Sequence, residues 1–179
     1  GAQVGDMLLL TKPLGTGIIL AGAMRGMHVP GAIAGAVNCM DTSNALSVEI
    51  LRNYAVNALT DVTGFGLLGH LAEILRGSDC GVSLHLNDIP LLPGALLMAK
   101  QGIASSLQAS NALVLADFTL ATDLDAEILA LLSDPQTSGG LLASVPAHQA
   151  DSCLTALRAQ QIKAAMIGEI VPSSTRRIS

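Results

Sequence analysis

Thr60-Asp-Val-Thr-Gly-Phe-Gly-Leu-Leu-Gly-His70 joins a strand to a helix across a glycine turn. Ala58 and Leu59 lead as a short strand into Asp61, Gly64 and Gly66 permit a tight turn, and a helical pattern starts near Leu67. Leu67, Leu71 and Ile74 share one stripe with Leu68 and Leu75 beside it, Glu73 and Arg76 face away, and Gly77 supplies a stop. A carboxylate therefore stands beside a helix N-terminus. Backbone N–H groups there attract phosphate, and a carboxylate can hold Mg²⁺ against it.

Upstream, Met7 to Thr11 is a continuous apolar run suited to a buried strand. Lys12-Pro13 and the glycines of Leu14-Gly-Thr-Gly17 break it before a helical run from Ile18 to Met24. Asp41, Thr42 and Ser43 offer an N-cap to a helix reaching about Tyr54, with Val48, Leu51 and Ala55 as its apolar positions. Downstream, Val82, Leu84 and Leu86 alternate with polar residues as a half-buried strand does. Ile89-Pro-Leu-Leu-Pro-Gly94 reads as a loop before another helix, and 102–110 is small, polar and without a decisive pattern. Leu124, Ile128, Leu131 and Leu132 predict a helix stopped at Asp134-Pro135, and Leu141 to Val145 a strand. Ala150, Leu154 and Leu157 mark a further helix, and Ala164 to Val171 one strand broken at Gly168 or two short ones. Residues 173–179 read as a polar tail. Strands and helices in this order, without strict alternation, predict an α+β layered domain over residues 1–172, with a mixed sheet covered by helices.

A chain of 179 residues suits one domain and can bury roughly 70% of its unfolded surface. Half of it is hydrophobic, yet Tyr54, Phe65 and Phe118 are its only aromatics, so the core is built from Ala, Val, Ile and Leu. The three cysteines, Cys39, Cys80 and Cys153, have no CxxC spacing, which fits a reducing, cytoplasmic setting. A net charge of −5, with no long basic run and almost no aromatics for stacking, argues against a nucleic-acid surface. No stretch reaches the roughly 18 uninterrupted apolar residues of a membrane span. Without an initiator Met or a secretion signal, the chain reads as starting at a domain boundary inside a longer protein.

Taken as residues alone, Asp61 is either a metal ligand or a cap for the following helix. Thr60 and Thr63 can donate to phosphate or satisfy local backbone groups, and Gly64 lets backbone approach an anion. Lys12 lies in a glycine-bearing turn without the full GxxxxGK[ST] pattern, although a lysine there can meet an anion. His70 sits at the edge of the apolar stripe, where a ring is buried and one nitrogen stays wet. His28, His85 and His148 show no zinc spacing. Asp134-Pro-Gln-Thr-Ser-Gly-Gly140 reads as a helix stop and an Asx-type turn, with Gly139-Gly140 allowing close backbone packing. Cys153 belongs to a core stripe, and neither Cys39 nor Cys80 has an activating base nearby in sequence.

Three segments, Gly5-Asp-Met-Leu-Leu-Leu-Thr-Lys-Pro-Leu-Gly-Thr-Gly17, Thr60 to Leu71 and Asp134 to Leu142, together closely resemble the C-terminal half of the selenophosphate synthetase (selenide, water dikinase) family. The resemblance runs nearly end to end. It implies the C-terminal domain of the superfamily shared with aminoimidazole ribonucleotide synthetase, following an ATP-binding N-terminal domain that this chain lacks. It also implies the making of selenophosphate, AMP and phosphate from selenide, ATP and water with Mg²⁺, in a homodimer. Asp61 matches the family's magnesium-binding aspartate of the TDVTGFG motif. The family's catalytic cysteine or selenocysteine, its lysine and the other metal aspartates belong to the other half, so no catalytic residue is expected here and the isolated chain is expected to be inactive. Ser105-Ser-Leu-Gln-Ala-Ser-Asn111 departs from the family, keeping Asn111 but not a preceding glycine pair. A different class of function is a non-catalytic interaction or delivery module on the same fold. Another ATP-dependent member of the superfamily is a third, against which Asp134 to Gly140 argues.

Overall fold

In a computed structural model describing residues 1–122 and 124–179, strand β1 (Asp6–Leu10) is the spine of the sheet. Leu8 and Leu10 point to one face and Leu9 to the other, all fully buried, as the period of two requires of a strand covered on both sides. On either side of β1 run β5 (Leu141–Pro146) and β6 (Ala165–Pro172), both antiparallel to it. With β2 (Ala58–Asp61), β3 (Cys80–Leu84), β4 (Thr119–Leu120) and β7 (Arg176–Ile178) they make a sheet of order β2-β5-β1-β6-β3-β7-β4. It is mixed, because β7 runs parallel to both β3 and β4.

Helix α4 (Gly66–Ser78) covers one face through Leu67, Leu68, Leu71, Ala72 and Leu75. The other face packs on α3 (Ala45–Leu51) and α8 (Ala147–Ala159) through Leu51, Cys153 and Leu157. A separate cluster joins α1 (Thr16–Met24), α2 (Ala32–Asp41) and α5 (Ala95–Lys100), with Leu131 of α7 (Ala126–Leu132). Helix α6 (Gln108–Asn111) is a single turn at the end of the stretch without a decisive pattern. The expected α+β layers and mixed sheet are what the chain forms.

The tail expectation is corrected. Arg176–Ile178 inserts as β7, Ile178 is fully buried, and Ser179 exchanges backbone hydrogen bonds with Leu84 and Leu86. A three-residue strand with one inward side chain is too short to show alternation. Helix α2 has no counterpart in the sequence reading, because its buried positions are the small residues Ala32 and Ala36. Helix α3 is shorter than expected, ending at Leu51, and Tyr54 beyond it donates its hydroxyl to the Ser152 carbonyl at 3.1 Å. Gly168 does not break β6. The register slips there, Leu8 facing Gly168 and Leu9 facing Met166, so Ile167 is the extra residue of a bulge. A Cβ at Gly168 would collide with the Ser83 carbonyl of β3.

Candidate functional site at the glycine-rich end of the sheet

Strand order brings the glycine-bearing segments together. β5 lies between β2 and β1, so the 134–140 loop enters the sheet between Asp61, which faces Leu141, and Lys12, just beyond Leu10, which faces Leu142. Val62 donates its N–H to the Gly140 carbonyl at 2.8 Å, and Thr11 its N–H to that of Leu141 at 3.0 Å. The loop passes tightly: a Cβ on Gly140 would stand 2.5 Å from the Lys12 nitrogen, and one on Gly139 would collide with the Val62 carbonyl.

Asp134 and Gln136 hold the start of α1, whose cap residue, Gly15, has no side chain to satisfy the first turn's orphan N–H groups. Gln136 does so instead, its Oε1 accepting from the Gly15 N–H at 3.0 Å, the Thr16 N–H at 3.2 Å and the Thr16 hydroxyl at 3.1 Å. Its Nε2 donates to the carbonyl and carboxylate of Asp134, and its own N–H to the Thr63 carbonyl at 2.9 Å. Asp134 Oδ2 accepts from the Ile18 N–H at 3.1 Å. A Cβ on Gly17 would meet Asp134 Oδ1 at 2.5 Å, so only glycine admits the carboxylate there. The segment left as a turn by the sequence is thus a rivet between α1, the 60–66 turn and the sheet. The available signal was a helix start at Gly15-Thr16 with no Asp, Asn or Ser in front of it to serve as a cap.

Burial pushes the Asp134 carboxyl up to about 6, against the pull of the Ile18 N–H, Gln136, the Gly17 N–H and Ser105. Its Oδ1 and the Ser105 hydroxyl are both buried and outside hydrogen-bond geometry. From its ordinary value of 3.8 up to about 6, the folded state keeps a proton that the unfolded state has lost, so stability falls as pH rises through that window. Above it the cost is fully present, on the order of 3 kcal/mol at most. Asp134→Asn keeps the Oδ2 acceptor and sets an N–H₂ toward Ser105. Thermal melts at about pH 4.5 and about pH 7.5 should show the variant gaining on the parent at the higher pH by several degrees. A constant difference between the two would show that Asp134 titrates normally.

The residues singled out from sequence divide into two groups. Asp61 is exposed on the face of β2 shared with Leu59, which is 44% exposed, and its carboxylate accepts no hydrogen bond from the described residues. Close by, the Thr60 hydroxyl donates to the Asp61 carbonyl at 3.2 Å, Gly64 is exposed, and Phe65 is 59% exposed. Thr63 pairs its hydroxyl with His70 Nε2 at 3.2 Å. His70 is buried, tilted against Phe65, with Glu73 3.3 Å from Nδ1 but off the hydrogen-bond direction. Asn111, in the departing loop, donates to the Gly64 carbonyl at 2.8 Å and that of Ser133 at 3.1 Å, fixing the turn from outside. Lys12 stands apart from this edge. Buried, it donates through Nζ to the carbonyls of Thr42 at 2.6 Å and Ser138 at 2.8 Å. Gly66, with φ of +70°, packs its backbone on Ser133, so the start of α4 is closed by protein and the exposed part of the turn is Gly64-Phe65.

The family described as AIR synthase related protein, C-terminal domain, matches residues 3–178. The chain belongs to that family. Within it, this AIR-synthase-related domain is 42% identical to selenide, water dikinase of Myxococcus xanthus over 173 residues, covering 95% of the chain and 49% of that protein. Selenide, water dikinase of Pelobacter propionicus is 38% identical over 182 residues, with 98% and 51% covered. The domain thus spans about half the length of the curated relatives it matches. Among solved structures, Escherichia coli HypE superposes with a TM-score of 0.71 at 21% identity, covering 98% of this domain and 46% of that chain, a likeness of fold.

Proposed function

We propose that this domain is the C-terminal half of an ATP-dependent selenophosphate synthetase that converts selenide, ATP and water to selenophosphate, AMP and phosphate. In this reading a preceding ATP-binding domain of the same polypeptide supplies the nucleotide site, and the protein works as a cytoplasmic homodimer. The observation that carries it is the near end-to-end match to selenide, water dikinases at up to 42% identity. What the domain brings is Asp61 as a metal carboxylate and, around it, the exposed Leu59 and Phe65, an apolar rim against which a second domain can close and exclude water.

Asp61 fits Mg²⁺ as one ligand, being a hard oxygen donor at the end of an edge strand with no hydrogen-bond donor to give up among the described residues. It does not make a complete shell, because the described residues hold no group of three His, Cys, Asp or Glu able to bind a metal. Phosphate oxygens and the other domain would complete it. Mg²⁺, when bound, offsets the charge of the polyphosphate and of the phosphoryl group in transfer. The chain's own contribution is positional: the 134–140 rivet fixes the 60–66 turn, so that Asp61 and the Gly64 backbone meet phosphate from one rigid edge, and the Thr60 and Thr63 hydroxyls join them by turning from the Asp61 carbonyl and from His70.

Phosphorus NMR of the full-length protein with selenide, ATP and Mg²⁺ should show selenophosphate, AMP and phosphate formed together. ATP consumption independent of selenide, or ADP as the product, would overturn the assignment. The isolated domain should turn over no ATP, and tight Mg²⁺-dependent ATP binding to it in calorimetry would contradict the division of ligands between two halves.

A further inference from the structure

A cavity of about 320 Å³ opens where the end of β1 meets α2, the start of α3 and the turn after α8. That is the size of a small-molecule site. Its walls are largely apolar, with Leu46, Leu92 and Ile162, and its charged groups are Lys12 and Lys163; no carboxylate lines it among the described residues. Cys39 of α2 shares the lining. Burial pushes its thiol up while the charges of Lys12 and Lys163 pull it down, so both ammonium groups act on the space around the sulfur. Lys12 is itself held below its ordinary value by burial. Its Nζ has two carbonyl acceptors for three protons, so the cation lies desolvated and without an anionic partner among the described residues. The turn bearing Asp61 contributes nothing to the lining.

We propose that this cavity binds a small organic anion, its charged head between Lys12 and Lys163 and its short body against Leu46, Leu92 and Ile162. Two cations facing one half-closed volume set the sign of the ligand, and the volume sets its size. The assignment is independent of the reaction proposed for the Asp61 edge.

Cys39 is a built-in reporter. In the native full-length protein its alkylation by iodoacetate, an anion, is compared with that by iodoacetamide, its neutral analogue, site by site in peptide mass spectra. In each case the thiolate forms a C–S bond as the C–I bond breaks, iodide leaves, and the thiol proton passes to buffer. The iodoacetate-to-iodoacetamide rate ratio at Cys39 should exceed by about tenfold that of the same cysteine in denatured protein. Lys163→Gln, at an exposed position, should remove most of that excess. The buried Cys80 and Cys153 report any unfolding. An unraised ratio, a Cys39 that neither reagent reaches, or a raised ratio that Lys163→Gln leaves intact overturns the proposal.

Discussion

Asp61→Asn in the full-length protein is expected to lower Mg²⁺-dependent turnover by at least about 10–100-fold while leaving the fold intact. The two halves of that expectation come from different observations. Stability should move by no more than about 0.5 kcal/mol, because the Asp61 side chain is exposed and no described residue donates a hydrogen bond to it. Activity should fall because an amide keeps the shape and one oxygen but loses the charge that a hard divalent cation selects. Raising Mg²⁺ should recover part of the loss if the carboxylate holds the metal, and none of it if Asp61 serves turnover in another way. Full activity at an unchanged Mg²⁺ requirement would remove Asp61 from the site.

Most of the architecture is legible in the sequence because it rests on long, strongly patterned segments. Leu67 and Leu71 of the expected α4 stripe, Leu68 and Leu75 beside it and the run of Leu8, Leu9 and Leu10 in β1 are fully buried as their periodicity assigns, while Ile74, the third residue of that stripe, is half-buried against the same core. What escapes is short or built from small residues, as in α2, whose inner face is Ala32 and Ala36, and β7, with Ile178 alone turned inward. The site divides in the same way. Asp61 is legible because a strand, a glycine turn and a helix occupy adjacent residues. The roles of Asp134 and Gln136 are not, because their partners, Gly15, Thr16 and Ile18, lie more than a hundred residues away and are brought close only by β5 running between β1 and β2. Lys12 shows the opposite case: a cation in a glycine turn suggests a free anion hook, yet two distant carbonyls take up two of its protons.

Gly139→Ala should be the most destabilising single-methyl change at this end of the sheet. Its Cβ would collide with the Val62 carbonyl and stand 2.9 Å from Gln136 Cβ, and neither neighbour is the free end of a flexible chain. Val62 is fully buried, with its N–H on Gly140, and the Gly139 carbonyl accepts from Asn44 Nδ2 at 2.9 Å. To admit the methyl, the loop must leave either β2 or the Asn44 anchor. Forced overpacking of this kind costs about 3 kcal/mol, a fall of about 6–12 °C in Tm for a domain of this size. Gly64→Ala is the control, since nothing lies within 4 Å of its added Cβ, and its melting temperature should stay within about 2 °C of the parent. The consequence of Gly139→Ala goes beyond Tm. β2 is an edge strand whose only partner among the described residues is β5, so loosening the loop that locks the two exposes a second row of unpaired backbone groups and favours aggregation. Parent-like melting and soluble yield for Gly139→Ala would mean that the 134–140 loop yields easily and does not set the position of Asp61.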